Sequence, residues 1–246
     1  PRTKLILVVL YIIGLFCAKQ VLTYALMMAA LFFCIRVSRV GARALLRGLK
    51  PVLVIIAFTA VLNLLFTSGD PLFQWGFFRI TRQGVEMAVF MVLRITMLIM
   101  GTFLLTYTTS PITLTDGLEN LMNPLKRIHV PVHELSMMMS IALRFIPTLI
   151  EETDKIMSAQ KARGADFESG NLLQRARAMI PLLVPLFISA FRRADELAVA
   201  MECRCYHGGE GRTKLHVLRY APADYLAICG GLILTTAVIL LGRMGY

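Results

Sequence analysis

Negative charge is scarce in this 246-residue chain: 15 acidic residues stand against 26 lysines and arginines, a formal charge of +11. There are five cysteines, four histidines and one tryptophan. Several patterns that carry chemistry are missing. No G-x-x-x-x-G-K-[ST] phosphate loop occurs, and Gly208-Gly209-Glu210-Gly211-Arg212 lacks both its spacing and its lysine, so it reads as a tight turn. No G-x-S-x-G nucleophile elbow occurs either. His129 and His133 flank Pro131 without further ligands in a metal-binding spacing, and Cys203-x-Cys205 has no partner cluster. Glu151-Glu152-x-Asp154 lies at helical spacing beside Lys155, which makes it a solvated face rather than a catalytic carboxylate pair. The expectation is therefore a chain with no catalytic residues, no bound cofactor and no metal site.

The basic excess does not point to nucleic acid. No long Lys/Arg block stands free of apolar residues, and no interleaved aromatic-basic sheet pattern occurs. Instead Arg36, Arg39, Arg43, Arg47 and Lys50 lie between two hydrophobic runs, as cytoplasmic loops of membrane proteins do. Their spacing of three or four places the arginines along one face of an interfacial helix facing lipid phosphate.

Apolar residues dominate. They make up 57% of the chain and are clustered, which predicts several membrane spans rather than a soluble core. Leu5–Cys17 and Val21–Ile35 read as a helical hairpin with Lys19 and Gln20 at its tip, the rival reading being one interrupted or re-entrant element. Pro51 is well placed near a helix start, Val52–Phe66 is the third span and Gln83–Tyr107 the fourth. Between them, Thr67–Arg82 reads as an external loop with an aromatic patch at Trp75. Arg94 sits deep in the fourth span, where a charge needs a partner or a polar cavity. Tyr225–Leu241 is the fifth span, and Gly230-Gly231 admits a close helix neighbour.

Residues 111–224 interrupt this pattern. Thr113 or Thr115 caps a short helix that Pro124 bends or ends. Val132–Ala162 and Leu172–Met201 then carry apolar stripes at helical spacing, with Pro147, Pro181 and Pro185 inside them. Glu151–Lys155 and Arg192–Glu196 are spaced as surface ion pairs. Each helix ends on a central arginine, in Ala162-Arg163-Gly164 and in Cys203-Arg204-Cys205. Glycine after Arg163 suits a helix carboxyl terminus and leaves the arginine exposed. An arginine fork suits carboxylates and carbonyls in a protein groove.

The expected fold is thus an all-α integral membrane protein. About five transmembrane helices are joined by long amphipathic cytoplasmic coupling helices between the fourth and fifth. The domain plan is a membrane region over 1–110, a coupling-helix module over 111–224 and a final span over 225–246. Counting crossings puts the amino terminus and the module in the cytoplasm and the carboxyl terminus outside.

Eight segments carry a family resemblance: Pro1-Arg2-Thr3-Lys4, Arg47-Gly48-Leu49-Lys50-Pro51, Thr59-Ala60-Val61-Leu62-Asn63, Thr108-Thr109-Ser110-Pro111, Arg144-Phe145-Ile146-Pro147, Glu151-Glu152-Thr153-Asp154, Gln160-Lys161-Ala162-Arg163-Gly164-Ala165-Asp166 and Arg192-Arg193-Ala194-Asp195-Glu196-Leu197-Ala198. Together they resemble the transmembrane coupling subunit, or T component, of energy-coupling-factor vitamin transporters of the bacterial cell membrane. The resemblance implies that Ala162, Arg163, Gly164, Cys203, Arg204 and Cys205 dock into two ATP-binding cassette subunits, which hold ATP and Mg. It also implies a small integral-membrane substrate-binding S component as partner. Cys203 and Cys205 depart from the usual small-Arg-Gly form. A secondary transporter with its own substrate path and an unrelated membrane scaffold are the alternatives.

Overall fold

The structure is a computed structural model that describes residues 1–18, 20–67, 71–75, 78–167, 171–208 and 220–244. The chain divides into two compact units, Pro1–Leu118 with Leu218–Tyr246, and Glu119–Val217.

The first unit is built from α1 (Arg2–Cys17), α2 (Val21–Ser38), α3 (Ala42–Leu49), α4 (Leu53–Phe66), α5 (Arg82–Thr108) and α9 (Pro222–Met244). α6 (Pro111–Met122) leads out of it. α1 lies along α9, and α5 touches α1, α2, α3 and α4. The buried centre is Leu15, Ala18, Tyr24, Met27, Leu31, Met97 and Val238. Many other apolar side chains face outward, as lipid-facing helices require: Phe33, Val54, Phe66, Leu226 and Ile233 are all exposed.

Five helices among the described residues are long and apolar enough to cross a membrane: Val21–Ser38, Arg43–Phe66, Arg82–Thr108, Leu173–Cys203 and Pro222–Arg243. The number matches the sequence expectation but the set differs. α1 has 16 residues, about 24 Å of helix and short of a full crossing. The helix ending at Cys203 takes its place by length and composition.

Two local readings are corrected. The arginines from 36 to 47 do not share one helix face. α2 ends at Arg39, which adopts a left-handed conformation (φ 55°), so Arg36 belongs to α2 and Arg43 and Arg47 to α3. Pro51 does lie near a helix start: a 3₁₀ turn over Lys50–Val52 has the proline in its first positions and joins α3 to α4. The cap of α6 is Ser110, whose Oγ accepts from the Thr113 N–H at 3.4 Å. Pro111, lacking that donor, fills the first helical position. Within the expected external loop, Pro71–Trp75 (β1) pairs antiparallel with Phe78–Thr81 (β2). Lys19, Gly69, Asp70 and Gly76 lie outside the described residues.

Small residues set the closest approaches. A Cβ on Gly48 would lie 2.5 Å from Cε2 of Phe103, so α3 meets α5 at van der Waals distance only because position 48 has no side chain. Of the glycine pair in α9, Gly231 meets Leu7 of α1, whereas Gly230 has nothing within 4 Å.

Arg94 is held by neutral acceptors. Its Nε donates to the Tyr24 hydroxyl at 2.9 Å and its Nη2 to the Ala18 carbonyl oxygen at 3.0 Å. Ala18 caps the carboxyl end of α1, where the last carbonyls have no helical partner. The guanidinium thus satisfies a backbone group that lipid could not, and meets the negative end of the helix dipole. It borders a cavity of about 250 Å³ with Asn63, Met87 and Phe90. Asn63 itself donates to the Thr59 carbonyl oxygen at 2.8 Å.

Candidate docking tips

The second unit holds α7 (Val132–Ala162) and α8 (Leu172–Cys203), of 31 and 32 residues. Each is roughly 45 Å long. α8 opens with a capping box in which the Gln174 side chain accepts from the Asn171 N–H at 3.0 Å. The two helices pack on each other. The direction of packing follows from their contacts. Arg193 of α8 meets Glu152 and Phe145 of α7. Further along α8, Leu197, Met201 and Arg204 border a cavity of about 480 Å³ with Met137 and Ile141 of α7. Advancing along α8 means retreating along α7, so the pair is antiparallel.

The central contact differs from the expected surface pairs. Neither Glu151–Lys155 nor Arg192–Glu196 is an ion pair among the described residues. Instead the Arg193 Nη2 donates to the Glu152 Oε2 at 3.2 Å, and its guanidinium lies 5.7 Å from the Phe145 ring centroid. Both partners are about three-quarters shielded, with side-chain exposures of 28% and 26%. Loss of water strengthens the pair relative to an exposed one on a single helix.

Both arginine tips have one backbone geometry. Ala162 is the last residue of α7 and Arg163 its cap. Gly164 turns left-handed at φ 85°. The Gly164 N–H donates to Lys161 O at 3.0 Å and the Ala165 N–H to Gln160 O at 3.0 Å. At the other tip Cys203 is the last residue of α8 and Arg204 its cap. Cys205 turns left-handed at φ 53°. Its N–H donates to Glu202 O at 2.9 Å, and the Tyr206 N–H donates to Met201 O at 3.1 Å. Both are Schellman closures: the crossed bonds use the last carbonyls and stop the helix. The arginine between helix and turn is exposed in each case, as are its two neighbours.

The six sequence-nominated residues therefore form two separate sites. Ala162, Arg163 and Gly164 are together at one end of the pair, and Cys203, Arg204 and Cys205 are together near the opposite end. Arg204 lines the same cavity as Ile141, and α7 continues from Ile141 for about six turns, on the order of 30 Å, before reaching Arg163. Sequence reasoning passed over the cavity at the second tip, bordered also by Tyr206 and His207. Its one signal is Tyr206 itself, a large side chain just past the turn, where an apolar contact often accompanies this closure.

A family model described as "CbiQ: Cobalt transport protein" matches residues 1–215. Relatives described as the energy-coupling factor transporter transmembrane protein EcfT are similar over nearly their full length. The Clostridium kluyveri protein is 52% identical over 242 residues, 98% of this chain and 90% of the relative. The Acidaminococcus fermentans protein is 50% identical over 246 residues, 100% of this chain and 91% of the relative. The Bacillus subtilis protein is 51% identical over 242 residues, 98% of this chain and 91% of the relative.

The chain belongs to the EcfT family.

As a member it is the transmembrane component of an energy-coupling factor transporter and a multi-pass membrane protein. The match includes both arginine tips and extends through α8.

Proposed function

We propose that this EcfT-family chain is the non-catalytic mechanical link of an ATP-driven uptake transporter for a vitamin or micronutrient. Two cytoplasmic ATP-binding cassette subunits dock on it, one at Ala162-Arg163-Gly164 and one at Cys203-Arg204-Cys205. Those subunits hold ATP and Mg. A small integral-membrane substrate-binding subunit rests on the helices, and cargo choice lies with it. The matched family's description names cobalt, which falls within this cargo class. With α1 completing the first crossing against α9 and α8 remaining at the cytoplasmic side, the amino terminus and the α7–α8 unit are cytoplasmic and the carboxyl terminus is external.

The observation that carries the reading is the repetition of one closure at two helix ends with an exposed arginine in each. A rigid turn fixes where the guanidinium starts, so less conformational entropy is lost when a groove takes it. Two such tips on the order of 30 Å apart suit two subunits rather than two sites on one. Exposed Ile180, Val184, Phe187 and Phe191 on α8 supply an apolar face for the membrane or the substrate-binding subunit. A second disposition, α8 crossing the membrane, is favoured by its length and apolar content. Arg192, Arg193, Asp195, Glu196 and Glu202 crowd its last turns and favour water there.

The test is co-expression of the whole complex with Arg163→Ala, Arg204→Ala or both. The expected result is normal membrane insertion with ATPase co-purification and uptake each reduced about tenfold or more per site. Wild-type uptake and wild-type assembly in both single variants and in the double variant would overturn the assignment. Surface labelling of a cysteine introduced at Gly242 of an otherwise cysteine-free chain checks the orientation. Reaction with an impermeant reagent applied outside is expected.

A further inference from the structure

We propose that the cationic end of α2 and α3, from Arg36 to Lys50, is a seat for the headgroups of anionic phospholipids. The proposal concerns the membrane unit alone and is independent of the docking assignment.

Arg36, Arg39, Arg43, Arg47 and Lys50 are all exposed. None has an acidic partner among the described residues, and no Asp or Glu precedes Asp70 in the chain. No ion pair neutralises these side chains among the described residues. Its position is set by packing. Leu45 and Leu49 are buried and Gly48 abuts Phe103, so α3 is fastened to the carboxyl-terminal part of α5. The Lys4 ammonium donates to the Thr108 carbonyl oxygen at 2.8 Å, which brings the start of α1 to that same end of α5. One end of the unit thus gathers these cations, with Asp224, which accepts from the Thr3 hydroxyl at 2.8 Å, as the acid at the start of α9 there.

The same elements expose apolar side chains beside those charges. Phe32, Phe33 and Val37 on α2 and Leu46 on α3 are exposed. The Arg36 guanidinium lies 5.2 Å from the Phe32 ring centroid. A long basic side chain laid over an apolar ring, with its charge at the edge of a lipid-facing surface, belongs at the headgroup boundary. The break at Arg39 matters too. Had residues 36–50 formed one continuous helix, the charges would lie in a single line. The left-handed turn at Arg39 divides them between two helix ends, so that they flank the junction. A cluster of this size beside a membrane attracts anionic lipid, and the attraction weakens with salt.

The test uses the full chain in its complex, reconstituted in nanodiscs containing phosphatidylcholine and a minor fraction of phosphatidylglycerol. Spin-labelled phosphatidylglycerol and spin-labelled phosphatidylcholine are compared for the motionally restricted fraction. The wild-type complex is expected to favour phosphatidylglycerol several-fold, and the preference is expected to fall as salt rises from about 50 to about 500 mM. Arg39→Gln/Arg43→Gln/Arg47→Gln is expected to remove most of it, and Arg39→Lys/Arg43→Lys/Arg47→Lys to keep it. Absence of preference in the wild type overturns the proposal without reference to any variant. So does loss of the preference on adding millimolar inorganic phosphate at constant ionic strength, which would mark a site for free phosphate. A triple glutamine variant that keeps the preference overturns the assignment to these residues.

Discussion

Cys205 occupies the left-handed position at the end of α8 that Gly164 occupies at the end of α7. The two closures share their bonding pattern but not their local cost. Glycine adopts a positive φ freely, whereas a residue with a Cβ there is strained by about 1 kcal/mol or more. Cys205→Gly is therefore expected to stabilise the last turn of α8 by about 0.5–1 kcal/mol, part of the relief being lost to unfolded-chain entropy. Slower hydrogen exchange at the Cys205 and Tyr206 amides, with uptake retained, would show it. Loss of uptake in that variant would assign the thiol a chemical role.

The opposite change is expected at the first tip. Gly164→Val places a branched side chain at φ 85° and should cost about 1–2 kcal/mol locally. The expected readout is faster proteolysis after Lys161 or Arg163. Arg163 remains in place, so this variant separates the shape of the turn from the charge it presents.

Arg193 and Glu152 are coupled across the two helices at 3.2 Å. Removing either leaves a partly shielded charge without its partner. A double-mutant cycle with Arg193→Met and Glu152→Gln is expected to give a coupling energy of about 1 kcal/mol. Thermal inactivation of the purified complex is the measurement. The same cycle on Arg192 and Glu196 is expected to give only a few tenths of a kcal/mol, since both are exposed on one helix.

Arg94→Met removes both the hydrogen bond to the Ala18 carbonyl and the one to the Tyr24 hydroxyl. The expected loss is about 2–3 kcal/mol, seen as a lower melting temperature of the detergent-solubilised chain. Arg94→Lys keeps the charge but has no planar fork to reach both acceptors, and it is expected to fall between the two. A wild-type melting temperature for Arg94→Met would show that this arginine is not what ties α1 and α2 to α5.

Gly48 and Gly230 offer a contrast in one substitution. Gly48→Ala drives a methyl into the Phe103 ring and is expected to cost about 1–3 kcal/mol through displacement of α3 from α5. Gly230→Ala meets open space and is expected to be neutral or mildly stabilising, because alanine is the better helix former. Melting temperatures of the two variants, measured side by side, check the prediction.

Much of this architecture is legible in the residues because it is decided locally. A run of apolar residues commits a segment to lipid whatever its neighbours do, since an unsatisfied backbone in hydrocarbon costs several kcal/mol. The arginine tips are equally local: each Schellman bond closes within six residues, and Gly164 announces the first. The second was legible only by analogy, because Cys205 is not a residue that favours the left-handed conformation. Ser110 was missed as a cap because Pro111 hides the helix start behind a residue without an N–H.

Tertiary structure decided the partners. Arg193 has Glu152 on the facing helix, beside the Phe145 ring, while the nearer pairing of Arg192 with Glu196 is absent, because a shielded pair is screened less than a solvated one. Arg94 found a helix end where the sequence showed only an unexplained charge. Two helices with one arginine tip each do not by themselves reveal whether those tips converge or diverge. The antiparallel packing of α7 on α8 sends them to opposite ends, and that choice rests on long-range side-chain fit rather than on local helix propensity.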